Sequence, residues 1–259
     1  MLFTLLSCIA LRAQDPAIPV TLLPDNDNGS RYYAGADAFG WIYEITDNEF
    51  SKRQGTTIVK YRNVALGEIT RVDLQNPLQI VLFYRRFNTV VLLDNQLNEI
   101  RRINFSDVPQ PIIAEAAGLA SQNRLWVYDI TTQQIGLYDL AQNTFRPLTP
   151  PSKDAIVHYR NDYNYFYWID TTGKCFAVNL FGKVTALGSL PVFDHAQLLS
   201  ETTALFSYSG TIYFYRLDTG TKTTLPLSQK SFKSFHYAPQ ILSIFTDSET
   251  IQYQITLPD

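Results

Sequence analysis

The stretch "LWVYDITTQQIGLYDLAQNTFRPLT", residues 125–149, contains two short apolar segments that each end in an aspartate, followed by a weaker third segment. Turn-forming residues separate the three. Alternation with a period of two predicts β-strands, and turn residues between such segments indicate hairpins. This stretch therefore predicts three consecutive antiparallel strands, and the same pattern recurs on both sides of it.

Two series of apolar segments share one period. The stronger series begins at Trp41, Ile80, Leu125, Tyr165, Ala204 and Ile241, with spacings of 37 to 45 residues. The second begins at Val90, Ile135, Cys175, Ile212 and Ile251, with spacings in the same range. A weaker strand precedes and follows most pairs, which gives four strands in about 40 residues, the pattern of β-propeller blades.

The predicted fold is an all-β, six-bladed β-propeller of four-stranded antiparallel blades, with five or seven blades as alternatives because the first unit is the most degenerate. The blades are predicted at residues 31–66, 67–108, 109–152, 153–192, 193–229 and 230–259. The last unit lacks its outermost strand. Residues 18–23, "IPVTLL", can supply that strand and remove an exposed edge.

One segment conflicts with this pattern. Residues 112–122, "IIAEAAGLASQ", are rich in alanine and other helix formers. They nevertheless precede the segment at Leu125 as other strands precede its equivalents, so the repeat predicts a strand here.

The first residues resemble a secretory signal. An apolar run from Leu2 to Leu11 is too short to span a bilayer and is followed by Arg-Ala-Gln. We expect a signal peptide at residues 1–13, a propeller domain at 14–259 and a location in the periplasm or outer membrane. The Ala-Gln ending resembles signals of Bacteroidota. Lipid attachment at Cys8 in "LLSC" and a retained N-terminal strand are the alternatives.

Composition limits the function classes. The hydrophobic fraction of 46% suffices for a large core, and the aromatic fraction of 14% favours sheet. The formal net charge of −3 argues against a nucleic-acid partner. The sequence contains no phosphate-binding loop, no GxSxG, no HExxH and no CxxC, so it predicts no cofactor.

Residues 125–144 and 211–227 resemble blades of bacterial exported propellers of the broad YVTN and quinoprotein-like superfamily. The shared features are an apolar strand, an Asp or Asn, a turn such as Thr-Gly, and a second strand. The resemblance implies the fold and carries over no functional residue. The aromatic signature of quinone-binding propellers, the Gly-His and Trp-Asp pairs of WD repeats and the Asp-box of sialidases are absent.

The three histidines, His158, His195 and His236, fall in predicted first strands, which line the central channel of a propeller. A three-histidine metal site is conceivable. The histidines precede the next apolar segment by 7, 9 and 5 residues, however, so they lie at different heights. We expect the three histidines to line the channel as ordinary side chains and not to bind a metal ion.

Two arginine pairs suggest a patch for an anionic partner. Arg85 and Arg86 begin a predicted turn between second and third strands, and Arg101 and Arg102 lie in a predicted outer strand. The alternative is solvated charge that protects an edge strand.

Aspartates recur at strand ends, at Asp129, Asp170, Asp218 and Asp247. Paired carboxylates could hydrolyse glycosides, but recurrence at the repeat period favours turn capping. Cys175 is predicted to be a small apolar residue in a strand.

These features favour a non-catalytic exported propeller that binds a ligand or another envelope protein. Membrane attachment is expected only through Cys8. The alternatives are a glycan-active hydrolase or lyase with its site at the channel mouth, and a lipoprotein subunit of the outer membrane.

Overall fold

A computed structural model describes residues 18–24, 31–229 and 231–258. These residues form six four-stranded antiparallel sheets arranged as a six-bladed β-propeller, which confirms the predicted fold and blade number. The predicted signal peptide, its cleavage point and Cys8 lie outside the described residues. The described part contains no helix long and apolar enough to cross a bilayer.

The first strand in the chain, β1 (Val20–Leu22), belongs to the sixth blade. Blade one contains β2 (Arg31–Ala36), β3 (Ile42–Thr46), β4 (Glu49–Gln54) and β5 (Thr57–Tyr61). Blade two contains β6 (Arg71–Asp73), β7 (Ile80–Tyr84), β8 (Thr89–Leu93) and β9 (Glu99–Asn104). Blade three contains β10 (Ala114–Ala120), β11 (Arg124–Asp129), β12 (Gln134–Asp139) and β13 (Thr144–Pro147).

Blade four contains β14 (Ile156–Asn161), β15 (Tyr165–Asp170), β16 (Lys174–Asn179) and β17 (Val184–Ser189). Blade five contains β18 (His195–Leu198), β19 (Thr203–Tyr208), β20 (Thr211–Arg216) and β21 (Lys222–Thr224). Blade six combines β1 with β22 (Ser234–Ala238), β23 (Ile241–Phe245) and β24 (Thr250–Ile255). Two 3-10 turns occur at Val64–Leu66 and Arg85–Phe87.

The N-terminal strand closes the ring as predicted. Val20 pairs with Ile255 in an antiparallel register, and the backbone N–H of Leu23 donates a 2.9 Å hydrogen bond to Gln252. Ile18, 3% exposed, packs into the core between blades five and six. Pairing covers the outer edge of β24, which would otherwise offer unpaired backbone groups to another chain.

The prediction of a strand at residues 112–122 is also confirmed. The Ala-rich segment pairs with β11 from Ala114↔Asp129 to Ala120↔Arg124, and nearly all of its side chains are buried. Tertiary pairing and burial outweigh helix propensity, which amounts to less than about 1 kcal/mol per residue.

Each blade packs between two others, and in blades two and three the middle strands are buried on both faces. All five residues of β7 and of β8 are buried, and in blade three Trp126 is fully covered. The ring of Trp126 lies 6.1 Å from Phe166 of the next blade. Burial of such side chains contributes about 1.5–3 kcal/mol each and explains the high aromatic content.

The first strands are innermost. Contacts join β10 to β14, β14 to β18, β18 to β22 and β22 to β2, which makes these strands the wall of the central channel. We call the face at which the first strands begin the upper face, because the turns between second and third strands also lie there. The opposite face is the lower face.

The first strand of blade two is only three residues long. Its pairing with β7 covers Arg71–Asp73. The 3-10 turn at Val64–Leu66 ends at Gly67, whose φ of 65° redirects the chain before the strand begins.

Candidate functional site in the central channel

The channel contains a cavity of about 400 Å³. It lies where the first strands of blades one, two, four, five and six converge. Its polar lining residues are Tyr32, Arg71, Asp73, Gln75, His158, Arg160, Asn161, Gln197, His236 and Tyr237. Polar side chains from five blades therefore line one space at the centre of the ring, whereas the space between blades is filled mainly by apolar side chains.

Asp73 is the only carboxylate that lines this cavity in the described chain. It is 8% exposed, and one of its oxygens accepts hydrogen bonds from Leu119 N–H at 2.8 Å and from Asn161 Nδ2 at 2.7 Å. Gln75 donates to the same carboxylate through its backbone N–H and its side-chain amide. Four neutral donors from three blades thus stabilise the negative charge.

Small residues in β10 make this connection possible. An added Cβ at Gly118 would lie 2.1 Å from Oδ1 of Asn161, so only glycine leaves room for the amide. The hydroxyl of Tyr159, also from blade four, bonds the backbone of Ala117. Blade four therefore reaches past blade three to contact blade two.

Two arginines lie beside the cavity without a carboxylate partner. The guanidinium carbon of Arg71 lies 4.5 Å from the centre of the Tyr159 ring, and that of Arg160 lies 4.6 Å from the centre of the Tyr167 ring. Among the described residues neither guanidinium forms a salt bridge or donates a hydrogen bond. Both charges are therefore held by aromatic faces alone.

Two of the predicted channel histidines come together. His158 and His236 both line the cavity, and Tyr32 stacks on His236 with ring centroids 4.6 Å apart. Burial, followed by the charge of Arg71, lowers the pKa of His236 to about 3. Burial and then Arg71, His236 and Arg160 hold the pKa of His158 well below its ordinary value. Both imidazoles are neutral at pH 7.

His195 is separated from the other two. It is the first residue of β18, is exposed and is not among the residues that line the cavity. His158 and His236 each occupy the third position of their strands, so the expected difference in height between these two is wrong. His195, at the first position of its strand, is the one that lies apart. Within the described residues, no group of three His, Cys, Asp or Glu is placed to hold a metal ion.

A second cavity of about 220 Å³ lies toward the upper face and shares Arg71 and His158 with the first. It is also lined by Arg85 and Glu115, which form an ion pair across blades two and three. Arg71 and His158 therefore lie between the two spaces.

The predicted arginine patch is divided. Arg85 pairs with Glu115 on the upper face, and Arg86 is exposed beside it. Arg102 pairs with Glu99 at 2.8 Å, and Arg101 donates a 2.6 Å hydrogen bond to Asn143 in the turn between β12 and β13. The two pairs thus lie on different parts of blade two.

The recurring aspartates have structural partners. Asp129 accepts hydrogen bonds from Ile113, Thr131 and Thr132, which caps its hairpin as predicted. Asp170 caps the next blade in the same way, through Thr172 and Lys174.

The other two aspartates pair with cations. Asp218 binds Arg216, and Asp247 binds Lys233 at 2.7 Å. Cys175 is fully buried in β16, and burial raises the pKa of its thiol to about 12, so it is an apolar strand residue.

No family model matches this sequence, and no curated protein matches it. A streptogramin B lyase matches 92% of this chain and 98% of its own at 10% identity and a TM-score of 0.58. A catalytically inactive virginiamycin B lyase from Staphylococcus aureus with quinupristin matches 93% and 100% at 11% identity and 0.60.

The WD40 β-propeller domain of Doa1 matches 88% of this chain and 79% of its own, at 11% identity and a TM-score of 0.57. The likeness is one of fold. Identities this low support the propeller architecture and leave the function to the residues of this chain.

Sequence reasoning missed most of the channel residues. Arg71, Asp73, Arg160 and Asn161 are not among the candidates that the sequence indicates, although they lie in the first strands of blades two and four. Charged and amide side chains in strands that line the centre of a propeller are the signal that would have identified them.

Proposed function

We propose that the protein is a non-catalytic binding propeller that receives a small ligand in its central channel. The observation that carries this proposal is the state of Asp73. It is the one carboxylate lining the main cavity in the described chain, and its oxygens already accept hydrogen bonds from neutral donors of three blades. The channel thus offers binding groups without an available acid.

Glycoside hydrolysis requires two carboxylates that flank the scissile bond and exchange protons or form a covalent bond. Glu115 lines the adjoining second cavity and pairs with Arg85. Neither acid is free for this chemistry, which argues against the hydrolase alternative.

A lyase would need a general base, and a neutral histidine can serve as one. An effective base has a pKa near the working pH. The pKa of His236 is about 3 and that of His158 is well below its ordinary value, so both are weak bases at pH 7. The lyases among the structural neighbours share the fold at 10–11% identity, which does not transfer their activity.

Export and an envelope partner remain part of the proposal. They rest on the signal-like residues 1–13. Cys8 is the residue through which the protein would be anchored to a membrane. Palmitate incorporation that disappears in Cys8→Ala would support the anchor, and its absence from the intact protein would contradict it.

Ligand-observed NMR with a library of small molecules tests the site. Ala36 is exposed at the end of β2 and lines the cavity, so Ala36→Trp narrows the channel without disturbing the core. Ala141→Trp, at an exposed turn of blade three, is the matched control.

We expect library members to bind the wild type and Ala141→Trp but not Ala36→Trp, and to be recovered chemically unchanged. Binding that survives Ala36→Trp would contradict a channel site. Turnover of an oligosaccharide or cyclic peptide above a heat-inactivated control would contradict a non-catalytic role.

A further inference from the structure

We infer that the central channel binds a small oxyanion, a carboxylate or phosphate group, between Arg71 and Arg160. This inference deepens the proposed function by naming the class of ligand. It rests on four observations: the charge of the cavity, the state of its acid, the way the arginines are held, and the size of the space.

The cavity is positive in a protein that is negative overall. Arg71 and Arg160 contribute two permanent charges, whereas Asp73 contributes one negative charge and both lining histidines are neutral. The whole chain carries a formal charge of −3. A positive site surrounded by low-dielectric walls concentrates anions from solution.

Asp73 does not balance the arginines by direct contact. Its oxygens accept hydrogen bonds from Leu119, Gln75 and Asn161, and no described arginine lies within salt-bridge distance of it. The two carboxylates beside the Arg160 stack, Asp162 and Glu201, each accept a hydrogen bond from the Tyr167 hydroxyl, at 3.0 and 3.3 Å, and neither forms a salt bridge with Arg160. Both half-buried guanidinium groups therefore keep N–H donors for a ligand, and a partly desolvated charge without a counter-ion is unfavourable.

The aromatic contacts hold the arginines in place. Arg71 lies against Tyr159, whose hydroxyl is fixed by the backbone of Ala117. Arg160 lies against Tyr167, whose hydroxyl is fixed by Asp162. A planar guanidinium that is already ordered binds a carboxylate or phosphate through two parallel hydrogen bonds with little loss of side-chain entropy.

The space limits the ligand. A volume of about 400 Å³ lies toward the lower end of the range of about 300–1,000 Å³ for small-molecule pockets. Apolar side chains complete its wall, namely Ala34, Val72, Leu74, Leu198 and Ala238. A short carbon chain bearing one or two acidic groups therefore fits better than a polysaccharide.

Isothermal titration calorimetry with three probes tests this inference. Succinate presents carboxylates on a short apolar chain, inorganic phosphate presents the phosphate chemistry alone, and succinamide has the shape of succinate without its charge. The variants are Arg71→Gln, Arg160→Gln and, as a matched control on the exposed outer strand β13, Arg146→Gln. Thermal melting of each variant checks that it remains folded.

We expect succinate or phosphate to bind the wild type and Arg146→Gln at millimolar concentration or better, and succinamide not to bind. Loss of either channel arginine should weaken binding about tenfold or more, since a hydrogen bond to a charged group contributes about 1.5–3 kcal/mol. Arg71→Lys should recover only part of the affinity because it keeps the charge and loses the paired donors.

Three results would overturn the inference: no binding of either anion, binding that neither channel substitution affects, or equal binding of succinamide. If Arg71→Gln did not fold, Arg160→Gln and the comparison of succinate with succinamide would still test whether the channel binds anions. If only neutral ligands bound, and Ala36→Trp still excluded them, the channel would be a binding site but not one for anions. This result would contradict the further inference and leave the proposed function intact.

Discussion

The side-chain amide of Asn161 in blade four donates a 2.7 Å hydrogen bond to the carboxylate of Asp73 in blade two. Blade three lies between them along the chain, and its Leu119 contributes both a donor to Asp73 and an acceptor for Asn161. One buried acid thus joins three blades at the centre of the ring, and its removal should reduce stability as well as reshape the channel.

Asp73→Ala should lower the free energy of unfolding by about 3 kcal/mol, because it leaves several buried donors without an acceptor. Urea denaturation measures the change. Asp107→Ala, at an exposed loop position, should change stability by less than about 0.5 kcal/mol. A double-mutant cycle with Asn161→Ala should give a coupling of about 1 kcal/mol or more, and additive effects would contradict the contact.

Gly118→Ala should destabilise the protein by about 1–3 kcal/mol, the usual cost of overpacking. The added Cβ would lie 2.1 Å from Oδ1 of Asn161. In the Asn161→Ala background the clashing amide is absent, so the same substitution should cost much less. An equal cost in both backgrounds would show that the amide is not what excludes the methyl group.

Ile18→Ala should lower stability by about 2–5 kcal/mol, because it leaves a cavity in the core next to the closing strand. Leu22→Ala alters an exposed residue of the same strand and should cost less than about 0.5 kcal/mol. Equilibrium denaturation of both variants distinguishes a strand that seals the core from one that is only paired along its edge.

Stability should fall as the pH is lowered from about 6.5 towards 3. Because the folded-state pKa of His236 is about 3 and the unfolded one is near its ordinary value, the unfolded chain binds more protons in this range. His158 contributes in the same direction. The contribution is fully present above the unfolded pKa and is lost as pH falls through the folded one. The charged and titratable groups that line the two cavities around the pair are Tyr32, Arg71, Asp73, Arg85, Glu115, Tyr128, Tyr159, Arg160 and Tyr237.

His236→Gln should flatten this dependence, measured as melting temperature against pH, because glutamine does not titrate. Exposed His195 lies outside the cavity, so His195→Gln is the matched control and should leave the slope almost unchanged. If the slope persisted both in His236→Gln and in the double variant with His158→Gln, the pH dependence would arise from carboxylates elsewhere in the protein.

The repeat could be predicted because each blade solves the same packing problem. Apolar side chains at the same positions, such as Leu125 and Phe166, fill the space between sheets, and the alternation of apolar and polar residues shows this pattern in the sequence of each unit. The closing strand was predictable for a related reason, since a missing outer strand in the last unit left one edge to be covered.

The channel could not be predicted in the same way. Asp73 and Asn161 are 88 residues apart, and each ends a first strand and pairs with the second residue of the strand that follows. The repeat therefore relates their positions, but it does not show that side chains of two blades that are not neighbours meet. Their meeting depends on Gly118 in the blade between, and glycine in an alanine-rich strand gives no indication of which side chain it admits. The histidines could be assigned to first strands, but their heights depended on where each strand begins.

Val20 and Ile255 are paired neighbours although almost the whole chain separates them. Contacts of such large sequence separation form late, because the loop they close carries the greatest entropic penalty. The first five sheets can each assemble from consecutive hairpins, whereas the sixth must wait until its last segment is available. Closure of the ring is therefore expected to be the slow step in the kinetics of folding, with an open ring as the species most exposed to aggregation before it.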